Sequence, residues 1–374
     1  MNYENLDMII DLRHDLHRIP ELSMMEYKTM DMIRSFLEEH TGLEIVIHKG
    51  WMYAVKKGVK DLPPIAFRAD MDALPIEEKL PVDHNSCHEG RAHKCGHDGH
   101  CAALCGLALE LDQIETARSV YLIFQPGEET GQGAKICRSL IREKGIAEIY
   151  AIHNLSGYPE NSFVYRRGLT QPASEGLQIR LSGKTSHASA PEEGRNPAAA
   201  ISHIVLKAKE LAESRSRGMV LSTVTGIQMG SGDFGISPGE GELCLTIRAE
   251  YEDEMKLLEG DILSYAKTVC TDEGLSMEYA IRDYFPETRN HDSSLEKALA
   301  AAKSMGLHLI PMKEMWRASE DFGWYLKECP GAIIYIGNGV DYPGLHTGGY
   351  DFNDHILETA VDLFVTCTSP DDQP

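Results

Sequence analysis

The sequence lacks any apolar run near the roughly 18 residues that a membrane-spanning helix requires. It is also short of positive charge, with 36 Lys and Arg against 58 Asp and Glu, a formal net charge of −22. The acids are scattered rather than gathered into a tail. Such a surface repels phosphate backbones, which argues against a nucleic-acid partner as the absent apolar run argues against a membrane. The start, "MNYENLDMIIDLRHDLHRIPE", carries acids and reads as an amphipathic helix, unlike an export signal, so the cytoplasm is the expected compartment. Internal repeats and low-complexity segments are missing too. Nine cysteines, an odd number, in a long chain without an export signal argue against a disulfide framework. Cys137, Cys244, Cys270, Cys329 and Cys367 sit in apolar surroundings and read as small buried hydrophobes. What is present, 374 residues at 42% hydrophobic, is the composition of a soluble globular protein of one large or two ordinary domains.

Up to about residue 170, helical spacing alternates with short apolar strands. "DMIIDLRHDLHRI" and "YKTMDMIRSFLEEH" read as helices, as do 98–112 and 132–144. "EIVIHKG", "MYAVKKG", "PPIAFRAD", "VYLIFQP" and "EIYAIHNL" read as strands. Continuous apolar strands divided by helices imply a mostly parallel, doubly covered α/β sheet. From about 175 the order becomes β-α-β-β-α-β, the ferredoxin-like unit, ending near Pro286. Helix and strand then alternate again. The expected organisation is a discontinuous α/β catalytic domain, 1–173 and 287–374, with an inserted α+β domain at 174–286.

Chemistry-bearing side chains concentrate in "HKCGHDGHCAALCG", His93 to Gly106. Alone, this cluster fits a structural zinc knuckle as well as a catalytic centre. Cys95 and His97 are too closely spaced to close a tetrahedron, so further ligands must come from far along the chain, as catalytic sites draw them. Three other places offer them: "FQPGEET" with Glu128 and Glu129, "AIHNLSG" with His153, and "GLHTGGYDFND" with His346. In open α/β sheets the carboxyl ends of the strands form the ligand crevice, where the glutamate pair and His153 fall. Two adjacent carboxylates running straight out of an apolar strand are costly to bury unless a cation compensates. A metal that binds one and leaves the other as a base gives the pair a purpose, and the balance favours a catalytic metal centre.

The segments "RADMDALPIEE", "HKCGHDGHCAALCG", "FQPGEETGQGAK", "GKTSHASAPEEGRNPAAA", "SEDFGWYL" and "LHTGGYDFND" together resemble a family of dinuclear metallohydrolases. It comprises aminoacylases, hippurate hydrolase and the hydrolases of auxin–amino acid conjugates. The resemblance runs from about residue 10 to 365. It implies a zinc-exopeptidase-like catalytic domain and an inserted domain serving as lid and dimerisation surface, hence a homodimer or a dimer-based tetramer. It implies that Cys95 as a bridging thiolate, His97, Glu129, His153 and His346 hold two divalent ions, manganese or zinc, with cobalt and nickel permitted. Glu128 would be the general base, and His187 would reach the partner subunit's site to stabilise the oxyanion. Asn196 and Arg248 would contact substrate, and Asp72 and Asp98 would support the ligands, with His100 a lesser helper. The implied reaction is hydrolysis of N-acyl amino acids. A dipeptidase or carboxypeptidase of the same chemistry and a non-catalytic metal-binding protein are the alternatives. The chain departs from the family pattern at Ala92-His93-Lys94, where relatives usually carry Met-His-Ala, and in the extra pair Cys87-His88. These departures bear on substrate preference more than on the metal site.

Overall fold

The largely apolar strands pair into an eight-stranded sheet, as the computed structural model, which describes residues 1–368, shows. Its order is Glu44–His48, Trp51–Lys56, Val120–Gln125, Ile65–Asp70, Glu148–Leu155, Gly331–Gly337, Phe163–Tyr165 and Leu309–Pro311. The four central strands, from Val120–Gln125 to Gly331–Gly337, are mutually parallel. In Ile65–Asp70, Glu148–Leu155 and Gly331–Gly337 every residue is buried, which is how a strand covered on both faces reads. The flanking strands were less legible: Trp51–Lys56 and Phe163–Tyr165 join the parallel core antiparallel. A two-residue connection at Lys49-Gly50 makes a hairpin of the first two strands, and so short a link permits no parallel crossover.

The helix His97–Asp112 is buried along nearly its whole length, unlike the amphipathic Tyr3–Arg18 and Tyr27–His40. Its small residues are a packing requirement. A Cβ on Gly99 would fall 2.3 Å from the Phe352 ring, and one on Gly106 would fall 2.6 Å from Val361. Leu104, Leu107 and Leu111, none of them exposed, each contribute on the order of 1.5–3 kcal/mol of burial. The helix expected at 132–144 is divided into Gly133–Cys137 and Ser139–Lys144.

The chain folds into two compact units. One comprises 1–170, 288–315 and, among the described residues, 320–368; the other comprises 171–287 with 316–319. The second unit holds a four-stranded antiparallel sheet in the order Val220–Met229, Glu240–Ala249, Ala173–Ser182, Ser276–Phe285. Along Glu240–Ala249 buried and half-buried residues alternate, and its Leu243, Leu245 and Ile247 share a core with helices Ala198–Glu213 and Glu252–Glu273. This is the ferredoxin-like arrangement, with one addition, the short pair Ser186–His187 and Ile236–Ser237. No helix among the described residues is long and apolar enough to cross a membrane.

Candidate metal centre

Three of the parallel strands deliver side chains to the same end of the sheet. Ile65–Asp70 leads to Asp72, Val120–Gln125 leads through Pro126-Gly127 to Glu128 and Glu129, and His153 lies near the end of Glu148–Leu155. His97 starts the buried helix, turned in by Gly96, whose φ of +96° favours glycine and whose Cβ would strike Asn154 Oδ1 at 2.6 Å.

The five candidate ligands named above lie in the first unit and form two triples, Cys95-His97-His153 and Cys95-Glu129-His346, each with its donor atoms within 4.8 Å of one another. Cys95 belongs to both. His97 Nδ1 sits 2.9 Å from the Asp72 carbonyl oxygen and 3.3 Å from its carboxylate. Both neighbours can only accept, so Nδ1 donates, and Nε2 is the ring nitrogen left to face a metal. That Nε2 is buried without a hydrogen-bond partner, as is Glu129 Oε1, 3.9 Å away. His153 is posed alike, with Nδ1 donating to the Asn154 carbonyl at 2.7 Å and Nε2 3.5 Å from Cys95 Sγ. Buried polar atoms left without a hydrogen-bond partner are costly, and a cation between them would satisfy both. The donor set of thiol, imidazoles and carboxylate, with ring tautomers fixed from behind, therefore fits divalent metal. His346 is the exception in setting: its ring is half exposed, its backbone is left-handed at φ +61°, and its Nε2 lies 3.4 Å from Glu129.

Protonation follows from the same crowding. Burial, then the charge of Glu129, pushes the Cys95 thiol up. Contact with Cys95 first and Glu129 second raises His346 to about 10. A divalent charge reverses this logic and deprotonates a coordinating thiol outright. Burial, then Glu320, Glu129 and Asp321, holds Glu128 well above the ordinary carboxylate range.

Asp72 organises the centre from below. Besides His97, its carboxylate accepts from Ser23 Oγ at 2.6 Å and from the backbone N–H groups of Glu128 at 3.1 Å and Glu129 at 2.9 Å. Burial alone would raise Asp72, but the His97, Ser23 and Glu129 hydrogen bonds keep it below its usual value. Asp98 stands elsewhere: its carboxylate meets His17 at 2.7 Å and Arg13 at 3.1 Å, supporting the base of the helix that carries His97. His100 bridges Asp70 and Asn154. His187, Asn196 and Arg248 belong to the second unit. There, exposed His187 accepts the Ser189 N–H at Nδ1, Asn196 Oδ1 accepts the Ala198 N–H just ahead of the helix Ala198–Glu213, and Arg248 donates to the Arg317 carbonyl.

A network beneath Glu128 was not singled out from sequence. Buried Arg68 donates to Gln125, Asp70, Glu320 and Asp321 at 2.7–3.0 Å, and the Asp321 N–H reaches Glu128 at 3.3 Å. The available signal was charge inside apolar context, in "IAFRAD" and "SEDFGWYL".

Residues 66–369 match peptidase family M20/M25/M40. The chain is 29% identical to the N-acetylcysteine deacetylase of Bacillus subtilis (strain 168), over 95% of this chain and 94% of that one. It is 30% identical to thermostable carboxypeptidase 1 of Saccharolobus solfataricus, over 94% and 92% respectively. Among solved structures it superposes on the Bacillus subtilis YXEP protein, described as a dinuclear metal-binding peptidase, with a TM-score of 0.82 at 27% identity over 98% of both chains. The chain belongs to peptidase family M20/M25/M40 and is a metal-dependent amidohydrolase.

Proposed function

We propose that this protein hydrolyses the amide bond of N-acyl amino acids at a centre of two divalent ions, manganese or zinc. The observation that carries the reading is the pair of donor triples sharing Cys95, with buried Glu128 beside them. His97 and His153 would complete one ion's set with Cys95, and Glu129 and His346 the other's. Such ions supply Lewis acidity, acidifying water and polarising the amide carbonyl. Glu128 takes the proton of the attacking water and returns it to the leaving amine. Its burial beside Glu320 and Asp321 raises its affinity for a proton, which suits it to accept one. Arg68 offsets the charge of those two acids and keeps them in place. Asp72 fixes the His97 tautomer and the backbone of the glutamate pair. The deacetylase relative supports an acyl rather than an aminoacyl substrate, and the carboxypeptidase relative marks the competing one.

A hydrolysis screen decides between them. Metal-reconstituted protein should cleave N-acetyl or N-benzoyl amino acids with higher kcat/KM than dipeptides bearing a free α-amine. The reverse order assigns a peptidase; no cleavage of either by metal-loaded protein removes the hydrolase reading.

The second unit serves in this reading as a dimerisation domain. Its strand Val220–Met229 lies at a sheet edge, with Leu221, Val224 and Ile227 exposed, the kind of edge a two-fold partner covers. His187 is assigned to the partner's site as oxyanion donor. His187→Ala should lower kcat by about 10²–10³, the usual loss of one oxyanion donor, with metal content unchanged. Mixing it with Glu128→Gln should restore activity, because one site of each hybrid carries Glu128 with the partner's His187. A mixture that stays inactive after demonstrated subunit exchange places His187 outside that role.

A further inference from the structure

His346 is the candidate ligand with the least secure footing. The other four are buried or mostly buried and come from a strand, a helix start or the turn after a strand, whereas His346 sits in the run "PGLHTGGY" with two glycines following. Its left-handed backbone costs on the order of 1–3 kcal/mol for a residue other than glycine, so something must hold it there. Lys94 supplies that hold at both ends of the loop. Its carbonyl oxygen accepts the His346 N–H at 2.7 Å. Its ammonium, wholly buried, donates to the Tyr350 carbonyl at 2.7 Å and to the Glu78 carboxylate. Glu78 is itself anchored by His17 at 3.0 Å and by the Ser86 N–H at 2.7 Å. Lys94 also precedes Cys95 directly, so one residue joins the shared thiol to the loop that presents His346. It is, moreover, one of the positions at which the chain departs from the resemblance noted above.

We infer that Lys94 is a positioning residue for the ion held by Cys95, Glu129 and His346: its buried ammonium clamps the 346–350 loop and pre-places His346. The inference rests on the dinuclear reading given above. Without the ammonium, the buried Tyr350 carbonyl loses its side-chain partner, and the far end of the loop is left to the Lys79 N–H on the Gly348 carbonyl at 3.0 Å and the Asn154 amide on the Tyr350 hydroxyl at 2.6 Å. His346 must then be ordered at the moment of metal binding, which weakens that ion alone. Outer groups that orient ligands typically contribute 10–100-fold to metal affinity.

The test is cobalt(II) titration of metal-free protein against a competing chelator, following the thiolate-to-cobalt absorption of Cys95. Wild type should take up two ions. Lys94→Met, similar in length and volume, should bind one ion as wild type and the other about 10–100-fold more weakly, keeping the thiolate absorption of the first. The double variant Lys94→Met/Glu78→Gln removes the whole ion pair. It separates clamping from charge balance and also serves if Lys94→Met alone does not fold. The clamp predicts that the second ion stays weak in the double variant; its return to wild-type affinity shows that Lys94 only neutralises Glu78 and overturns the inference. Unchanged binding of both ions by folded Lys94→Met overturns it equally, as does equal weakening of both, which would place the effect at Cys95. Wild type that binds no second ion removes the dinuclear reading and this inference with it.

Discussion

Glu128→Gln lowers kcat by about 10²–10⁴ while metal content stays at the wild-type level; this is the expected result if Glu128 is the base. The side chain is 5% exposed and is crowded by Glu129, Glu320 and Asp321. Glutamine keeps its volume and can still accept the Asp321 N–H, but it cannot take a proton from water. Removing one of several buried acids relieves like-charge repulsion, so the variant should melt no lower than wild type. Steady-state kinetics beside elemental analysis of the purified protein provide the check. The concrete alternative is that Glu128 is a ligand, since its carboxylate also groups with His97 and Glu129. Metal lost in proportion to activity would establish that and leave the base unassigned.

Cys95→Ser should remove both ions together and abolish activity with them. Cys95 is the only residue common to the two triples, and a hydroxyl is a far poorer bridging ligand than a thiolate. The loss of affinity should therefore exceed the about 10–100-fold that follows loss of an outer partner such as the one proposed for Lys94. Metal analysis after dialysis should return less than one ion per chain. In wild type, thorough chelation should extinguish hydrolysis and added divalent metal should bring it back. Hydrolysis that survives chelation would show that no metal takes part, and the reading of the whole centre would fall.

Much of the fold could be read directly from residue patterns. Strands that are largely apolar with no polar alternation are covered on both faces, which made "IAFRAD" and "EIYAIHNL" core strands, buried at every position. The alternation in "GELCLTIRAE" suited a sheet covered on one face by helices. The pairing direction of short flanking strands such as Phe163–Tyr165 was not legible, because three residues carry no pattern that distinguishes their neighbours. The Arg68 network escaped notice for a related reason. A charge inside an apolar strand marks something unusual, but its partners Glu320 and Asp321 come from a loop some 250 residues later.

What the sequence determined by itself is the chemistry available: a thiol, imidazoles and paired carboxylates, placed at strand ends and a helix start by local patterning. It also carried the order of elements in both units, because burial imposes periodicities that each segment displays alone. Only the tertiary structure decided which of these groups approach within ligand distance. It fixed His97 through Asp72, turned Asp98 toward Arg13 and His17, and placed Glu128 above Arg68 and its acids. The physical reason is that hydrogen bonds and electrostatic contacts act over a few ångströms between atoms, whereas a sequence records separation along the chain. The sheet converts one into the other by bringing the ends of distant strands side by side.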